Sequence, residues 1–457
     1  MSIELQTGHD ALALRGTALR YDGDDHLTRR TLAFVLAGGR GSRLGGLTDR
    51  RAKPAVPFGS RFRIIDFTLA NCVNSDLRRI AVLTQYKAQS LIRHIQDNWS
   101  LQRRFGEFVE VVPAQQRLGD GWYAGTANAV LQNVDLIERH RPDFVLVLGG
   151  DHVYKMDYSK LLAEHAVSRA DLTVACVEIP LEDASSFGVV QIDEARRIIG
   201  WEEKPRSPKS MSGSRNRALA SMGIYVFDAA TLVRALATDA QDDASSHDFG
   251  HDLVPGLLRR GLNVHAHLFR NSCVGAKGQE PYWRDVGTLD AYWDANIELT
   301  RKAPRFDVFD RSWPIPTTSD FAVPSRFQSD AQGRLMMLTE SLVGGGCTIG
   351  AAAIHRSVIF SDVRVGHGAL IGESVLLPQA EIGDRATLRR VIVGKHCRIP
   401  AGLMVGFNAE QDRSRFHVTP RGITLITPEM LGQRPRVAWR PSLRVAPGHV
   451  RLSASVE

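Results

Sequence analysis

Residues 31–48 read TLAFVLAGGRGSRLGGLT, an apolar run that ends in a loop rich in glycine and arginine. The run from Leu32 to Leu36 predicts a buried strand, because a short apolar stretch that stops at a glycine turn is typical of a strand covered on both faces. Gly38, Gly39 and Gly41 would let backbone N–H groups approach phosphate oxygens closely. The loop matches neither the Rossmann nor the Walker glycine pattern, so it predicts another kind of phosphate site.

Two cations near this loop suit a polyphosphate ligand. Arg40 lies inside the loop, and Lys53 follows in RAKPAVPFG, residues 51–59. A glycine-rich turn after a strand is also compatible with a plain turn, but three glycines and two arginines ahead of a Lys-Pro pair favour phosphate binding. We therefore predict a phosphate-binding site built from Gly38, Gly39, Gly41, Arg40 and Lys53.

Strand-like runs alternate with helical stretches over residues 31–300. The runs include RIAVLTQY, DFVLVLGGD, DLTVACVEI and SMGIYVFD, and the helical stretches include KAQSLIRHIQDNW and YSKLLAEHAV. This alternation predicts a mostly parallel sheet in a three-layer α/β sandwich. In such folds ligands bind at the carboxyl ends of the strands.

The hydrophobic period changes beyond residue 335. Val343 and Ile349 are six positions apart, as are Val365 and Ile371, and aliphatic residues recur in the same way up to Val405. An aliphatic residue every six positions is typical of a left-handed parallel β-helix of hexapeptide repeats. We predict four segments: an N-terminal extension (1–30), the α/β domain (31–300), a proline-containing linker (301–335) and a β-helix domain with a C-terminal tail (336–457).

Composition narrows the class of protein. The 457 residues include 57 Lys and Arg against 50 Asp and Glu, a net charge of +7, which admits an anionic ligand. The basic residues form no run typical of nucleic-acid binding, so we predict no nucleic-acid partner. Five cysteines lie far apart without a C-x-x-C pair, which disfavours a disulfide framework or a zinc site. With no apolar run long enough for a signal peptide or a membrane span, we expect a cytoplasmic protein without a membrane partner.

An aspartate follows another apolar run. Asp151 comes directly after VLVLGG, where the sheet is expected to place its ligands. Bound phosphate groups carry negative charge that has to be neutralised by cations. A carboxylate at this point suits Mg²⁺, although Asp is also common as a helix cap. We predict that Asp151 holds Mg²⁺ beside the phosphates.

Long segments resemble one known family. The signature of the sugar nucleotidyltransferases is similar to LAGGRGSRL with KPAVPFG. Within that family, the bacterial glucose-1-phosphate adenylyltransferases resemble RAKPAVPFGSRFRIIDF, PAQQR, WYAGTANAV, GDHVYKMDY, FGVV, EEKP, SMGIYVFD, SSHDFG and PYWRDVGT, from about Leu32 to about Leu431. The resemblance implies an enzyme that joins ATP and α-D-glucose 1-phosphate into ADP-glucose and pyrophosphate for glycogen synthesis. It also implies Mg²⁺ as cofactor, a homotetramer, and a β-helix that serves regulation and oligomerisation.

The resemblance assigns roles to individual residues. Asp151 becomes the essential catalytic carboxylate and Asp285, in WRDVGT, the second metal ligand, with Arg40 and Lys53 completing the catalytic set. Either Gln115 or its neighbour Gln116 in PAQQR would read the adenine edge, and our preferred candidate is the first. The glucose 1-phosphate contacts carry over onto Tyr123, Gly188, Glu203, Lys204 and Ser221. Without the resemblance, the E-E-K cluster would be interpreted as solvated surface charge.

A regulatory anion site is also implied, with departures from the family pattern. Enteric-type relatives bind inhibitory AMP and an activating sugar bisphosphate between the two domains. Arg50 replaces a Lys of those relatives, Pro57 a His, Gln379 a Glu and Lys395 an Arg, while Pro428 and Gly432 stand where Arg is usual. We expect a sugar phosphate, AMP or phosphate as effector, with weakened AMP inhibition, although surface charge alone would also explain the arginines. The predicted site comprises Arg50, Arg51, Arg63, Arg139, Gln379 and Lys395.

Three other functions stay open at this point. The glycine-arginine loop and the metal aspartates are shared with uridylyl- and thymidylyltransferases. A β-helix acyltransferase would need His355, His367 or His396 as its base. A non-catalytic regulatory subunit would typically have lost the aspartate or the cations around the phosphates, and this chain keeps Arg40, Lys53, Asp151, Lys204 and Asp285.

Overall fold

The computed structural model describes residues 27–115, 122–275, 280–317 and 323–433. The predicted N-terminal extension up to residue 26, the candidate Gln116, linker residues 318–322 and the tail after residue 433 lie outside the described residues. Within the described ranges, no helix is both long enough and apolar enough to cross a membrane.

A mixed sheet is the centre of the first region. The strands of this region are β1 (Thr31–Leu36), β2 (Pro57–Phe58), β3 (Phe62–Arg63), β4 (Arg79–Thr84), β5 (Phe108–Pro113), β6 (Phe144–Gly149), β7 (His152–Tyr154), β8 (Leu172–Pro180), β9 (Gly188–Ile192), β10 (Ile198–Glu203), β11 (Arg217–Asp228), β12 (Val264–Leu268) and β13 (Trp283–Asp285). The sheet runs β10-β9-β11-β6-β1-β4-β5, and β8 pairs with both β11 and β12. Strands β5, β4, β1 and β6 are parallel, whereas β11 is antiparallel to its neighbours β6, β8 and β9.

Helices cover both faces of this sheet. They are α1 (Ile65–Asn74), α2 (Gln89–Asn98), α3 (Thr126–Leu131), α4 (Val134–His140), α5 (Tyr158–Ser168), α6 (Ala229–Asp239), α7 (Val254–Arg259) and α8 (Leu289–Glu298). Side chains of β1 alternate between two cores: Ala33 and Val35 pack with α1, α2 and α5, while Leu32 and Phe34 pack with α3, α4, α6 and α7. The predicted three-layer sandwich is therefore confirmed.

The second region is a parallel β-helix. Its strands are β14 (Arg326–Phe327), β15 (Met337–Thr339), β16 (Leu342–Val343), β17 (Thr348–Ile349), β18 (Ala353–His355), β19 (Val358–Ile359), β20 (Arg364–Val365), β21 (Leu370–Gly372), β22 (Val375–Leu376), β23 (Glu381–Ile382), β24 (Thr387–Arg389), β25 (Val391–Val393), β26 (Arg398–Ile399), β27 (Met404–Val405), β28 (His417–Val418) and β29 (Thr424–Ile426), with helix α9 (Ala409–Arg413). Successive coils pair in parallel in three sheets, as in the register Ile349, Val365, Ile382, Ile399. These four side chains are buried, as the six-residue period predicts, and the left-handed hexapeptide β-helix is confirmed.

The two regions share an apolar core. Val358 and Val375 from one sheet of the β-helix pack with Phe58 and Tyr292 of the first region. Helix α8 is also held by hydrogen bonds, for example from Trp293 Nε1 to the carbonyl oxygen of Glu373 at 2.7 Å. The β-helix is therefore fixed against the side of the sandwich that carries residues 44–67 and α8.

Candidate active site

A cleft of about 670 Å³ opens at the carboxyl ends of β1 and β6. This is the edge at which a parallel sheet of this class binds its ligands. The cleft brings together eleven of the predicted site residues, namely Gly38, Gly39, Gly41, Lys53, Tyr123, Asp151, Gly188, Glu203, Lys204, Ser221 and Asp285.

The glycine loop lies directly against the first predicted cation. Gly41 has a φ of +63°, and a methyl group on its Cα would approach the Cβ of Lys53 to 2.7 Å. Both the backbone conformation and the close contact therefore require glycine at this position. The hydroxyl of Thr48 donates to the carbonyl oxygen of Gly41 at 3.0 Å and holds the end of the loop.

Lys53 connects the two predicted metal carboxylates. Its side chain is only 6% exposed, and Nζ lies 2.9 Å from Asp151 Oδ2 and 2.6 Å from Asp285 Oδ1. Strands β7 and β13 produce this arrangement, because their antiparallel pairing sets Asp285 opposite His152. Asp151 and Asp285 are 134 residues apart, yet they share one ammonium group.

Charge compensation within this group is mutual. Burial alone would lower the pKa of Lys53, but Asp151 and then Asp285 raise it above its ordinary value. Burial would raise the pKa of Asp151, but Lys53 and His152 outweigh that effect and hold the pKa well below its usual range. Lys53 and Asp151 are therefore both charged at neutral pH.

Two residues of this group were not predicted from the sequence. Arg43 lines the cleft, and its guanidinium lies 3.6 Å from Asp285 Oδ2. His152 lies with Asp151 and Asp285 in a group whose ligand atoms are all within 4.8 Å of one another. The sequence positions of both residues indicate them as candidates, since Arg43 is the second arginine of the loop and His152 directly follows the predicted catalytic aspartate.

The other end of the cleft carries the residues predicted to bind the sugar. Lys204 Nζ lies 2.9 Å from Glu203 Oε1, so the two groups neutralise each other in this structure. Lys204 has a φ of +45°, in the left-handed region, and its amide donates to the carbonyl oxygen of Phe187 at 3.1 Å. The hydroxyl of Tyr123 accepts from Asn133 Nδ2 at 2.9 Å.

Two predicted nucleotide contacts are not brought into the cleft. Arg40 is exposed, and its guanidinium lies over the ring of Tyr86, 5.6 Å from the centroid. Gln115 is exposed at the last residue before the undescribed range 116–121. Neither is among the described residues that line the cleft. Their assignment stays a prediction, and Arg43 is the arginine of the loop that reaches the carboxylates.

A smaller groove between the two regions collects several of the predicted effector residues. It is lined by Arg50, Arg51 and Lys395 together with His396, Arg398 and Glu429. Arg50 forms an ion pair with Glu429 at 2.7 Å. Burial, with Arg63 and then Arg50 nearby, lowers the pKa of Arg51 to about 10.

The remaining effector residues lie outside the described lining of this groove. Arg63 donates to the carbonyl oxygen of Ser90 at 2.6 Å. Gln379 is exposed at a corner of the β-helix, with a φ of +62°. Arg139 lies at the end of α4, before the start of β6, and pairs with Asp135 at 3.6 Å. That position is at the amino edge of the sheet, so one chain does not bring Arg139 to the groove, and its role stays a prediction.

The three histidines considered for acyl transfer lie on the β-helix at separate places. His355 is exposed and bonds to Thr339 Oγ1 at 2.9 Å. His367 Nδ1 accepts from the amide of Ala351 at 3.1 Å, a bond that holds a coil corner. His396 lines the groove described above.

Comparison with known proteins identifies the family. A family model described as nucleotidyl transferase matches residues 32–302, and one described as GlmU-like, C-terminal hexapeptide, matches residues 323–426. A glucose-1-phosphate adenylyltransferase of Nitrosomonas europaea is 56% identical over 409 residues, which cover 89% of this chain and 94% of the relative. The enzymes of that name from Methylobacillus flagellatus and Paramagnetospirillum magneticum are 54% and 52% identical, over 89% and 91% of this chain and 95% and 97% of their own lengths. The chain therefore belongs to the glucose-1-phosphate adenylyltransferase family of nucleotidyltransferases.

Proposed function

We propose that the cleft transfers the adenylyl group of ATP to α-D-glucose 1-phosphate. A phosphate oxygen of the sugar phosphate forms a bond to the α-phosphorus, the bond from that phosphorus to the bridging oxygen of the β-phosphate breaks, and pyrophosphate leaves. The products are ADP-glucose, the glucosyl donor of glycogen synthesis, and pyrophosphate. The observation that carries the proposal is the contact of Lys53 with both Asp151 and Asp285, beside a glycine loop at the sheet edge.

Lys53 and Arg43 supply the charge that this reaction needs. Phosphoryl-group chemistry depends on positioning and on stabilising negative charge that spreads over the phosphate oxygens. Lys53 is held by two carboxylates, so its ammonium is oriented before substrate arrives. Arg43, with 65% of its side chain exposed, is free to turn toward a polyphosphate.

The carboxylates fit a divalent cation, and we propose Mg²⁺. Asp151 and Asp285 offer the hard oxygen ligands that Mg²⁺ prefers, and their oxygens already share one positive group. When bound, the ion would neutralise charge on the phosphates of both substrates.

Glu203 and Lys204 support a sugar phosphate at the other end. A carboxylate accepts hydrogen bonds from ring hydroxyls, and an ammonium attracts the phosphate. In the structure the two groups contact each other at 2.9 Å. Tyr123, Gly188 and Ser221 complete the proposed wall of this subsite.

The groove that contains Arg50, Arg51 and Lys395 supports regulation by an anionic metabolite, such as a sugar phosphate, AMP or phosphate. The family resemblance is the reason to propose that the β-helix serves regulation and assembly as a homotetramer, while the apolar junction holds the β-helix against the first region of the same chain. We place the enzyme in the cytoplasm, where ATP and glucose 1-phosphate are available.

Pyrophosphate release tests the function. Purified protein with glucose 1-phosphate and Mg²⁺ should release pyrophosphate with ATP and far less with UTP, dTTP or GTP. Preference for another nucleotide would overturn the adenylyl assignment and favour uridylyl or thymidylyl transfer. Repeating the assay with fructose 6-phosphate, fructose 1,6-bisphosphate, pyruvate, AMP and phosphate identifies the effector.

A substitution at Lys204 tests the sugar subsite. Lys204→Ala removes a charged hydrogen-bond partner, so we expect the KM for glucose 1-phosphate to rise about tenfold or more, with little change in the KM for ATP. Lys209→Ala is the matched control, because Lys209 is similarly exposed and pairs with Glu202 outside the described lining of the cleft. An equal rise in both constants would show that Lys204 serves the other substrate.

A further inference from the structure

Glu203 lies in a slot between two glycines. It is the last residue of β10 and pairs in register with Gly188 of β9, while Gly250 approaches from the turn Phe249–Leu253. A methyl group would lie 2.8 Å from Glu203 Oε2 if added to Gly188, and 2.7 Å if added to Gly250. Neither glycine has a positive φ, so the close approach of the carboxylate, and not the backbone conformation, excludes a side chain at both positions.

Trp201 lies behind this slot and contacts both of its walls. It is two residues before Glu203 on β10, and therefore on the same face of the strand. Its indole Nε1 donates to the carbonyl oxygen of Gly250 at 2.7 Å. A methyl group on Gly188 would lie 2.9 Å from Cζ2 of the indole ring, so the ring also limits that wall. Trp201 is not among the described residues that line the cleft.

We propose that Trp201 is a positioning residue for sugar recognition, which acts by fixing Glu203 between Gly188 and Gly250. The proposal rests on the proposed function, in which Glu203 accepts hydrogen bonds from the sugar. One carboxylate oxygen is held by Lys204 at 2.9 Å and the other lies in the slot, so the plane of the carboxylate is set before substrate binds. A carboxylate with a fixed plane favours one arrangement of neighbouring ring hydroxyls. Trp201 therefore contributes to selection among sugar 1-phosphates that differ at one hydroxyl.

The first test removes the indole hydrogen bond and keeps a large ring. Trp201→Phe should raise the KM for glucose 1-phosphate about threefold to tenfold, the range for losing one neutral hydrogen bond. The KM for ATP should change less than about twofold, and kcat should change little. Because the KM for glucose 1-phosphate rises, the ratio of kcat/KM for glucose 1-phosphate to kcat/KM for galactose 1-phosphate should fall.

A matched pair of glycine substitutions tests the slot itself. Gly250→Ala places a methyl group against Glu203 Oε2 and should raise the KM for glucose 1-phosphate selectively. Gly256→Ala is the control, because the nearest atom to a methyl group there is a guanidinium nitrogen of Arg259 at 3.8 Å. It should leave both KM values unchanged.

A double-mutant cycle separates positioning from a general structural role. If Trp201 acts through Glu203, Trp201→Phe should change the KM for glucose 1-phosphate less than about twofold in a Glu203→Gln background, where the fixed carboxylate is already lost. The same increase in both backgrounds would overturn the proposal, because Trp201 would then act independently of Glu203. An unchanged KM in the Trp201→Phe variant of the wild type would also overturn it.

Failure of the inference is distinguishable from failure of the proposed function. If the wild-type protein releases pyrophosphate from ATP and glucose 1-phosphate, and Lys204→Ala raises the KM for the sugar phosphate, the function stands whatever Trp201→Phe does. If the wild-type protein uses neither glucose 1-phosphate nor another sugar 1-phosphate, the proposed function fails and the positioning role fails with it.

Discussion

Arg51 and Lys53 are two residues apart in the same short segment, yet their electrostatic surroundings are opposite. Lys53 contacts two carboxylates, and after the lowering effect of burial its pKa still ends above the ordinary value. Arg51 is near Arg63 and Arg50, and burial with these like charges lowers its pKa to about 10. One cation is compensated by its surroundings, and the other is destabilised by them.

The difference indicates how each cation is used. An ammonium held between two carboxylates is oriented for a substrate that needs charge at a fixed point. A guanidinium crowded by like charges gains more from a bound anion, because the anion offsets the repulsion as well as forming hydrogen bonds. Lys53 therefore suits catalysis, and Arg51 suits reversible binding of an anion.

The largest expected effect comes from breaking the compensated site. Asp151→Asn removes one of the two carboxylates that hold Lys53 and that would bind Mg²⁺. We expect kcat to fall by about a hundredfold or more, which corresponds to about 3 kcal/mol in the activation barrier. Steady-state pyrophosphate release measures the loss, and circular dichroism checks that the fold is kept.

The same Asp-to-Asn change at an exposed position is the control for this loss of kcat. Asp97→Asn changes an exposed aspartate of α2 and should leave kcat within about twofold, since surface substitutions are usually neutral. A kcat near the wild-type value in Asp151→Asn would remove Asp151 from the catalytic set.

The contrast between Arg51 and Lys53 also shows where sequence reasoning stops. The glycine loop, Lys53 and Asp151 were predictable, because strand ends and glycine patterns are local features of the sequence. Asp285 was assigned only through family resemblance, since the pairing of β7 with β13 that brings it to Lys53 joins distant segments. The sequence shows Arg50 and Arg51 as adjacent basic residues. It does not show that Glu429, 379 residues away from Arg50, pairs with one of them.

Arg139 is a second residue whose charge can be read from the sequence but whose position in the fold cannot. Its basic character matched a family pattern, but α4 ends at the amino edge of the sheet, away from the groove in a single chain. Charge type is readable from sequence, whereas the edge of the sheet on which a charge lies depends on the whole topology. Side-chain packing such as that of Trp201 behind Glu203 was likewise not predicted, because no local pattern specifies it.

The second largest effect is expected on anion binding at Arg51, in the groove between the two regions. Arg51→Ala should weaken binding of inorganic phosphate about tenfold or more, because it removes hydrogen bonds to a charged ligand. Phosphate-dependent rise in the melting temperature measures this, with potassium chloride at equal ionic strength in the reference samples. Arg93→Ala, at an exposed position of α2, should retain the wild-type response. A full phosphate response in Arg51→Ala would show that the groove does not bind the anion.

The smallest effect concerns the choice between AMP and simpler anions. Pro57 is buried in β2 opposite Arg63, and its carbonyl oxygen accepts from the Tyr292 hydroxyl at 2.6 Å. Gln379 is exposed at a coil corner, and neither residue is among the described residues that line the groove. A carboxylate at position 379 would act through solvent, where charged pairs contribute little. The double change Pro57→His, Gln379→Glu should therefore strengthen AMP inhibition only about twofold to fivefold and leave the response to phosphate unchanged.

Inhibition titrations of the double variant and of both single variants measure this effect, with Pro57→Ala and Gln379→Leu as controls that add neither a donor nor a charge. An AMP response equal to that of the wild type would show that these positions do not govern the choice of inhibitor. A gain of about thirtyfold or more would instead show that the two side chains contact AMP directly. In that case the effector site would extend from the groove at Arg51 to the exposed corner at Gln379. The side chains at positions 57 and 379 would then select the ligand, in addition to the positive charge of Arg51.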